Sequence, residues 1–156
     1  MNIPNKKRRK KTIRLESPLH DDGFITIDKD DYITVCQIIG MIPNGTDPAR
    51  VFRDAVYTKN RRVVELALLG YFVRIERIPH EIGTLSSLRT LRAFCRRLER
   101  LPDSLGKLVN LEVLDLQWSG ITSLPDSIVN LKSLKFLFLN GTPLVNNNPY
   151  GPTTCV

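Results

Sequence analysis

One spacing constrains this chain more than any other property. Displaced by 23 residues against itself, the sequence brings Ile78-Pro79, Leu101-Pro102 and Leu124-Pro125 into line. Behind them Ile82, Leu105 and Ile128 coincide, then Leu85, Leu108 and Leu131, and then Leu88, Leu111 and Leu134. Leu91, Leu114 and Leu137 continue the series, followed by Ala93, Leu116 and Leu139 and by Leu98, Ile121 and Leu144. Self-similarity at one period of this size marks stacked supersecondary units rather than a closed globule.

Within a unit, L-x-x-L-x-L ends on a period of two, which sets its leucines on one face of a short strand and turns the alternate residues outward. The L-P-x-x-[IL]-x-x-L stretch that follows has the spacing of a helical return. Its proline suits the first turn of a short helix or 3₁₀ segment, where no backbone N–H is needed. One unit cannot bury its own leucine face, so several must stack, and their strands then form a parallel sheet along one side of an arc.

These runs, Leu111-Glu112-Val113-Leu114-Asp115-Leu116 and Leu124-Pro125-Asp126-Ser127-Ile128-Val129-Asn130-Leu131, resemble the leucine-rich repeat family. The period and the Leu-Pro step are similar to its intracellular, Ras-group-related subclass, also seen in plant disease-resistance proteins. The resemblance covers residues 62–145 and implies an α/β solenoid of about four turns whose concave sheet binds a protein partner. Two departures stand out. Where the family carries an asparagine that bonds along the turn, this chain has Arg96, Ser119 and Thr142; Ser and Thr can bond to nearby backbone, and Arg96 cannot in the same way. In the first unit Val63, Leu66 and Leu68 suit the strand, but Ile75 comes two residues late, as in a degenerate entry repeat.

On either side of the repeats the signal is weaker. Asp47, Pro48, Val51, Phe52, Ala55 and Val56 predict a short amphipathic helix reaching Tyr57. Asp31–Ile42 mixes strand and helix signals, and its Val35, Ile38, Ile39 and Ile42 spacing favours helix. Residues 21–61 are thus expected to form a small helical N-terminal cap over the first repeat. Residues 1–20 read as a disordered basic tail, and residues 146–156 as a C-terminal tail or decayed repeat.

Charge is concentrated at one end. The net charge of +7 arises from seven bases within the first fourteen residues, which contain no acid, and the remaining 16 bases balance 16 acids. Lys6, Lys7, Arg8, Arg9, Lys10 and Lys11 form a run of the kind read by an import receptor or attracted to polyanions, and equally a solvated tail. Three cysteines without metal or redox spacing, no apolar run long enough to span a membrane and no secretory signal point to an intracellular protein, cytoplasmic or nuclear.

Catalysis finds no footing. His20 and His80 each stand without a Cys, Ser or paired carboxylate at a useful spacing. Asp28-Lys29-Asp30 begins like a calcium loop, but Tyr32, Ile33 and Ile39 occupy ligand, glycine and terminal-glutamate positions. Asp21, Asp22, Asp28, Asp30 and Asp31 therefore read as a solvated acidic turn, and neither metal nor cofactor is expected. The candidate site is the outward face of the strands: Thr90, Arg92, Phe94, Val113, Asp115, Gln117, Phe136, Phe138 and Asn140. Exposed aromatics within a polar rim have the composition of a protein interface. Trp118, just past the strand, suits either an edge contact or loop packing. Arg89, Arg92, Arg96, Arg97 and Arg100 form a second basic group, but their spacing wraps around a turn and only Arg92 shares the outward face. The leading expectation is a non-catalytic protein-interaction module. The alternatives are a nucleic-acid-associated or nuclear protein using the basic tail, and a fragment of a larger signalling or receptor protein.

Overall fold

A computed structural model describes residues 12–16, 24–39, 55–69 and 75–146. A two-stranded antiparallel ribbon comes first, pairing β1 (Thr12–Glu16) with β2 (Phe24–Asp28). Helix α1 (Lys29–Ile39) follows directly. A second ribbon, β3 (Val56–Lys59) against β4 (Arg62–Leu68), leads into three further parallel strands. These are β5 (Thr90–Ala93), β6 (Val113–Asp115) and β7 (Phe136–Phe138), giving one sheet in the order β3-β4-β5-β6-β7. The chain between strands returns through 3₁₀ turns at His80–Thr84, Asp103–Lys107 and Asp126–Asn130, and α2 (Pro143–Asn146) is the last described element.

The returns form where the spacing places them. Pro79, Pro102 and Pro125 each stand at the residue before the turn with extended backbone, φ −68°, −75° and −68°. Adjacent turns then pack through a Gly–Ser seam. A Cβ on Gly83 would lie 2.6 Å from the Ser104 carbonyl oxygen, and one on Gly106 would lie 2.6 Å from that of Ser127. The corresponding residue of the third turn is Val129, 79% exposed. Strand register carries the same regularity: Thr90 pairs with Val113, which pairs with Phe136, while Leu91, Leu114 and Leu137 line up on the buried side. Leu88, Leu91, Leu105, Leu108, Leu111, Leu114 and Leu116 are wholly buried, each worth about 1.5–3 kcal/mol of transfer free energy.

The N-terminal cap differs from expectation in its β content. Helix α1 confirms the helical reading of the Asp31 region, although it begins at Lys29 and ends at Ile39. The tail assigned to residues 1–20 contains β1, whose Ile13 packs against the core. In the predicted helix over Asp47–Tyr57, residues 47–54 lie outside the described residues, and Val56 and Tyr57 belong to β3 instead. The reason is the turn that follows. Asn60 and Arg61 both take positive φ, 52° and 66°, the geometry of a two-residue turn whose twist suits a β-hairpin. This turn pairs Lys59 with Arg62 and, past a bulge, Tyr57 with Glu65.

The acidic turn is corrected as well. Asp28 and Asp31 are only 8% and 1% exposed. Asp28 accepts the Asp30 N–H at 3.1 Å at the head of α1, in the manner of a helix cap. Asp31 accepts Arg62 Nε at 2.9 Å, Arg62 Nη2 at 2.8 Å and the Val63 N–H at 2.8 Å. One carboxylate thereby ties α1 to the first strand of the stack. Beside it, Thr84 Oγ1 donates to the Glu81 carbonyl at 2.8 Å, so the 2.8 Å Thr34–Thr84 contact is donated by Thr34. With Ile27, Val35 and Ile38 fully buried, the cap closes the apolar end of the first repeat.

Candidate functional site: the outward face of the sheet

Parallel registration puts the outward-facing residues into rows across the strands. Tyr57, Glu65, Thr90, Val113 and Phe136 make one row, and Ala67, Arg92, Asp115 and Phe138 the next. Phe94, Gln117 and Asn140 continue the alternation beyond the strand ends, where Gln117 and Asn140 lie in turns and Phe94 is half-buried. The sequence-derived set therefore occupies a single face, but its members are not equivalent.

Charges on this face are settled internally. Arg92 Nη1 donates to Glu65 Oε1 at 2.5 Å, and both side chains are partly covered. Asp115 is 8% exposed, and burial raises its carboxyl above the ordinary range, a shift opposed by the Gln117 N–H at 3.2 Å and by the Arg92 charge. At the margin Glu112 bridges Arg89 and Lys135, the latter at 2.8 Å, and these bonds pull its carboxyl below the ordinary range, Lys135 contributing most. Arg92 and Asp115 are thus held parts of the surface rather than open charges.

The aromatic end is different. Phe136 is 53% exposed, and its ring lies parallel to that of Phe138, with an interplanar angle of 3° and centroids 6.2 Å apart. Alternation on one strand places both rings on the same side. Trp118 adopts φ 56° and donates its N–H to the Asn140 carbonyl at 2.9 Å. Its ring covers Gly141, where a Cβ would meet Trp118 Cε3 at 2.4 Å, yet Trp118 stays 62% exposed. Loop packing and an open aromatic edge coexist in that residue.

Two members of the face escaped the sequence reading. Tyr57, 57% exposed, extends the first row through an antiparallel strand that the repeat pattern does not include. Glu65 was obscured because pairing across β4 and β5 matches Glu65 with Thr90 and Leu66 with Leu91, an offset two residues longer than in later units. The β-branched and aromatic residues flanking Asn60-Arg61 are the signal that pointed to both. At the family asparagine position, Thr142 Oγ1 donates to the Leu139 carbonyl at 2.7 Å, Ser119 Oγ is buried with no hydrogen-bond partner among the described residues, and Arg96 is exposed.

The remaining chemistry is sparse among the described residues. His80 is exposed and lies 3.3 Å from Glu81. Cys95 is buried, donates to the Leu68 carbonyl at 3.4 Å, and burial pushes its thiol up to about 11, which leaves it protonated and unreactive at neutral pH. Among the described residues no group of three His, Cys, Asp or Glu side chains is placed to hold a metal ion, and no helix is long and apolar enough to cross a membrane. The basic run Lys6–Lys11 and His20 lie outside the described residues.

The model of the leucine-rich repeat region matches residues 62–149. The chain belongs to the leucine-rich repeat family. Among solved structures, the repeat domain of the type III effector XopL is 41% identical over 45% of this chain and 27% of its own, with a TM-score of 0.40. A leucine-rich repeat protein of Leptospira interrogans is 30% identical over 63% of this chain and 23% of its own, with a TM-score of 0.47. The chain therefore spans 27% and 23% of those two proteins. The ectodomain of the receptor kinase SOBIR1 from Arabidopsis thaliana matches in fold at a TM-score of 0.53, with 21% identity over 78% of this chain and 74% of its own. No curated protein sequence matches the chain.

Proposed function

We propose that this chain is a non-catalytic module that binds a protein partner through the outward face of its sheet, with Phe136 and Phe138 at the energetic centre. The observation that carries this reading is the parallel aromatic pair, Phe136 exposed and Phe138 half-buried, on a face where Arg92 is neutralised by Glu65. Large rigid aromatics desolvate at little entropic cost, and a few such residues supply most of the affinity of an interface. Arg92, Glu65 and Asp115 set the polar rim and register, with Thr90, Val113, Phe94, Gln117 and Asn140 as flanking contact area.

Within the family, the Leu-Pro step and the 23-residue spacing support the Ras-group-related, intracellular kind of repeat. The run Lys6, Lys7, Arg8, Arg9, Lys10 and Lys11 supports nuclear entry through an import receptor. The test is affinity capture from cell extract with the intact chain and with a Phe136→Ser, Phe138→Ser variant whose folding is verified by circular dichroism. A protein retained by the intact chain, then purified and bound at least tenfold more weakly by the variant, supports the reading. Equal binding by both overturns it.

A further inference from the structure

The five arginines around β5 and its return, which sequence spacing left as one basic group, separate in the fold into neutralised and open charges. Arg89 is bonded to Glu112 and Arg92 to Glu65, both on the strand side. Past the strand, Arg97 only approaches Glu76, at 3.7 Å. Arg96 and Arg100 make no ion pair among the described residues and are exposed. A sixth arginine then joins them: an isolated parallel bridge sets Arg77 directly beside Arg100, and Arg77 too is exposed and has no ion-pair partner among the described residues. Backbones in such a bridge stand about 4.8 Å apart and their paired side chains share a face. Like charges in that arrangement repel.

The backbone beneath them is firmly held. Cys95 and Leu98 are wholly buried and Leu101 is 8% exposed. The Leu98 N–H donates to the Cys95 carbonyl at 2.8 Å. Gly120 presses on the loop so closely that a Cβ there would lie 2.4 Å from the Arg96 carbonyl oxygen. The Arg77–Arg100 pair therefore stands on a firmly held backbone, with Arg96 and Arg97 on the same return and, among the described residues next to them in sequence, Glu76 and Glu99 as carboxylates. The open charge is also local. In the next unit Ser119, Gly120 and Ser123 replace Arg96, Arg97 and Arg100, so no cationic track runs along the stack.

We propose that the paired Arg77 and Arg100 form a binding site for a compact dianion, a phosphomonoester carried on a protein segment, with Arg96 on the same return adding to the local positive charge. A phosphomonoester brings close to two negative charges and three acceptor oxygens, and paired guanidinium forks suit such a group better than lysines would. Binding relieves the Arg77–Arg100 repulsion, so the free protein stores at this seam what the ligand releases. A nucleic acid would require cations continued from unit to unit along the stack, and these stop after two. The site lies on the return edge, away from the aromatic face, and stands independently of the function proposed above.

The experiment measures fluorescence anisotropy of a labelled phosphoserine peptide, its unphosphorylated twin and a 20-nucleotide single-stranded DNA with the full chain. The expected result is binding of the phosphopeptide over its twin, weakened at least tenfold by Arg77→Gln with Arg100→Gln and restored toward wild type by lysine at both positions. Arg89→Gln, on the strand side, should change it less than twofold, and the double glutamine variant should melt at or above the wild-type temperature. Equal binding of the two peptides, or phosphopeptide binding indifferent to the double substitution, overturns the proposal. DNA binding that exceeds phosphopeptide binding and falls with the same substitution also overturns it, in favour of a polyanion surface.

Discussion

The two ends of the repeat stack are built differently. At the N-terminal end, Asp31, Thr34, Val35 and Ile38 of α1 cover the first unit, and the core positions beneath are fully buried. At the C-terminal end, Leu124, Ile128, Leu134, Leu137, Leu139 and Leu144 occupy the same positions in the pattern but are only partly buried. Even the seam between returns changes, from Gly83 and Gly106 to Val129. Identical leucine spacing thus yields unequal burial, because a solenoid residue is buried by the unit stacked on it rather than by its own. The aromatic pair of β7 belongs to this less covered end, which places the proposed contact surface where the fold has apolar area to spare.

The comparison can be broken most directly at the cap. Asp31→Ala removes the acceptor of three hydrogen bonds and leaves the Arg62 charge partly covered without its partner. It should cost about 3–5 kcal/mol, read as a fall in the urea midpoint. Leu88→Ala and Leu134→Ala form the next pair. The first, fully buried, should lose about 2–5 kcal/mol, whereas the second, only partly buried, should lose roughly half as much or less. Equal losses would show that something covers the last unit as completely as the second covers the first.

The seam offers a sharper contrast at smaller cost. Gly106→Val must force Ser127 away and should destabilise by about 1–3 kcal/mol, while Val129→Gly, fully open, should stay within about 1 kcal/mol. The smallest effect is expected at Asp115. Its carboxyl is raised by burial, so the folded state holds a proton more tightly than the unfolded chain and wild-type stability falls as pH rises through that window. Asp115→Asn should therefore melt slightly higher than wild type at pH 7, by less than about 1 kcal/mol, and the gap should close as pH drops below the ordinary 3.8. A gap unchanged across pH would assign the effect to packing instead.

Most of the repeat was legible from residue spacing: the buried face of each strand, the proline at the head of each return and the shared outward face of Phe136 and Phe138. Less was legible in the cap. Asp31 reads as one solvated acid among five because its partner, Arg62, lies far along the chain and no periodicity links them. Tyr57 reads as the end of a helix because its apolar neighbours fit that spacing, and only the positive-φ turn at Asn60-Arg61 converts it to strand.

Sequence alone determined which residues turn inward and how one unit follows the next, since both are consequences of local periodicity and of the need to stack. Tertiary structure alone decided the charge pairs that break the period. It paired Arg92 with Glu65 across the longer first unit and Asp31 with Arg62 across the cap, whereas Arg89–Glu112 and Arg77–Arg100 stand one repeat apart and follow from the period. The reason is physical: electrostatic partners are chosen by lateral register between units, which depends on every turn and insertion in between, whereas burial of a leucine requires only that a neighbouring unit be present.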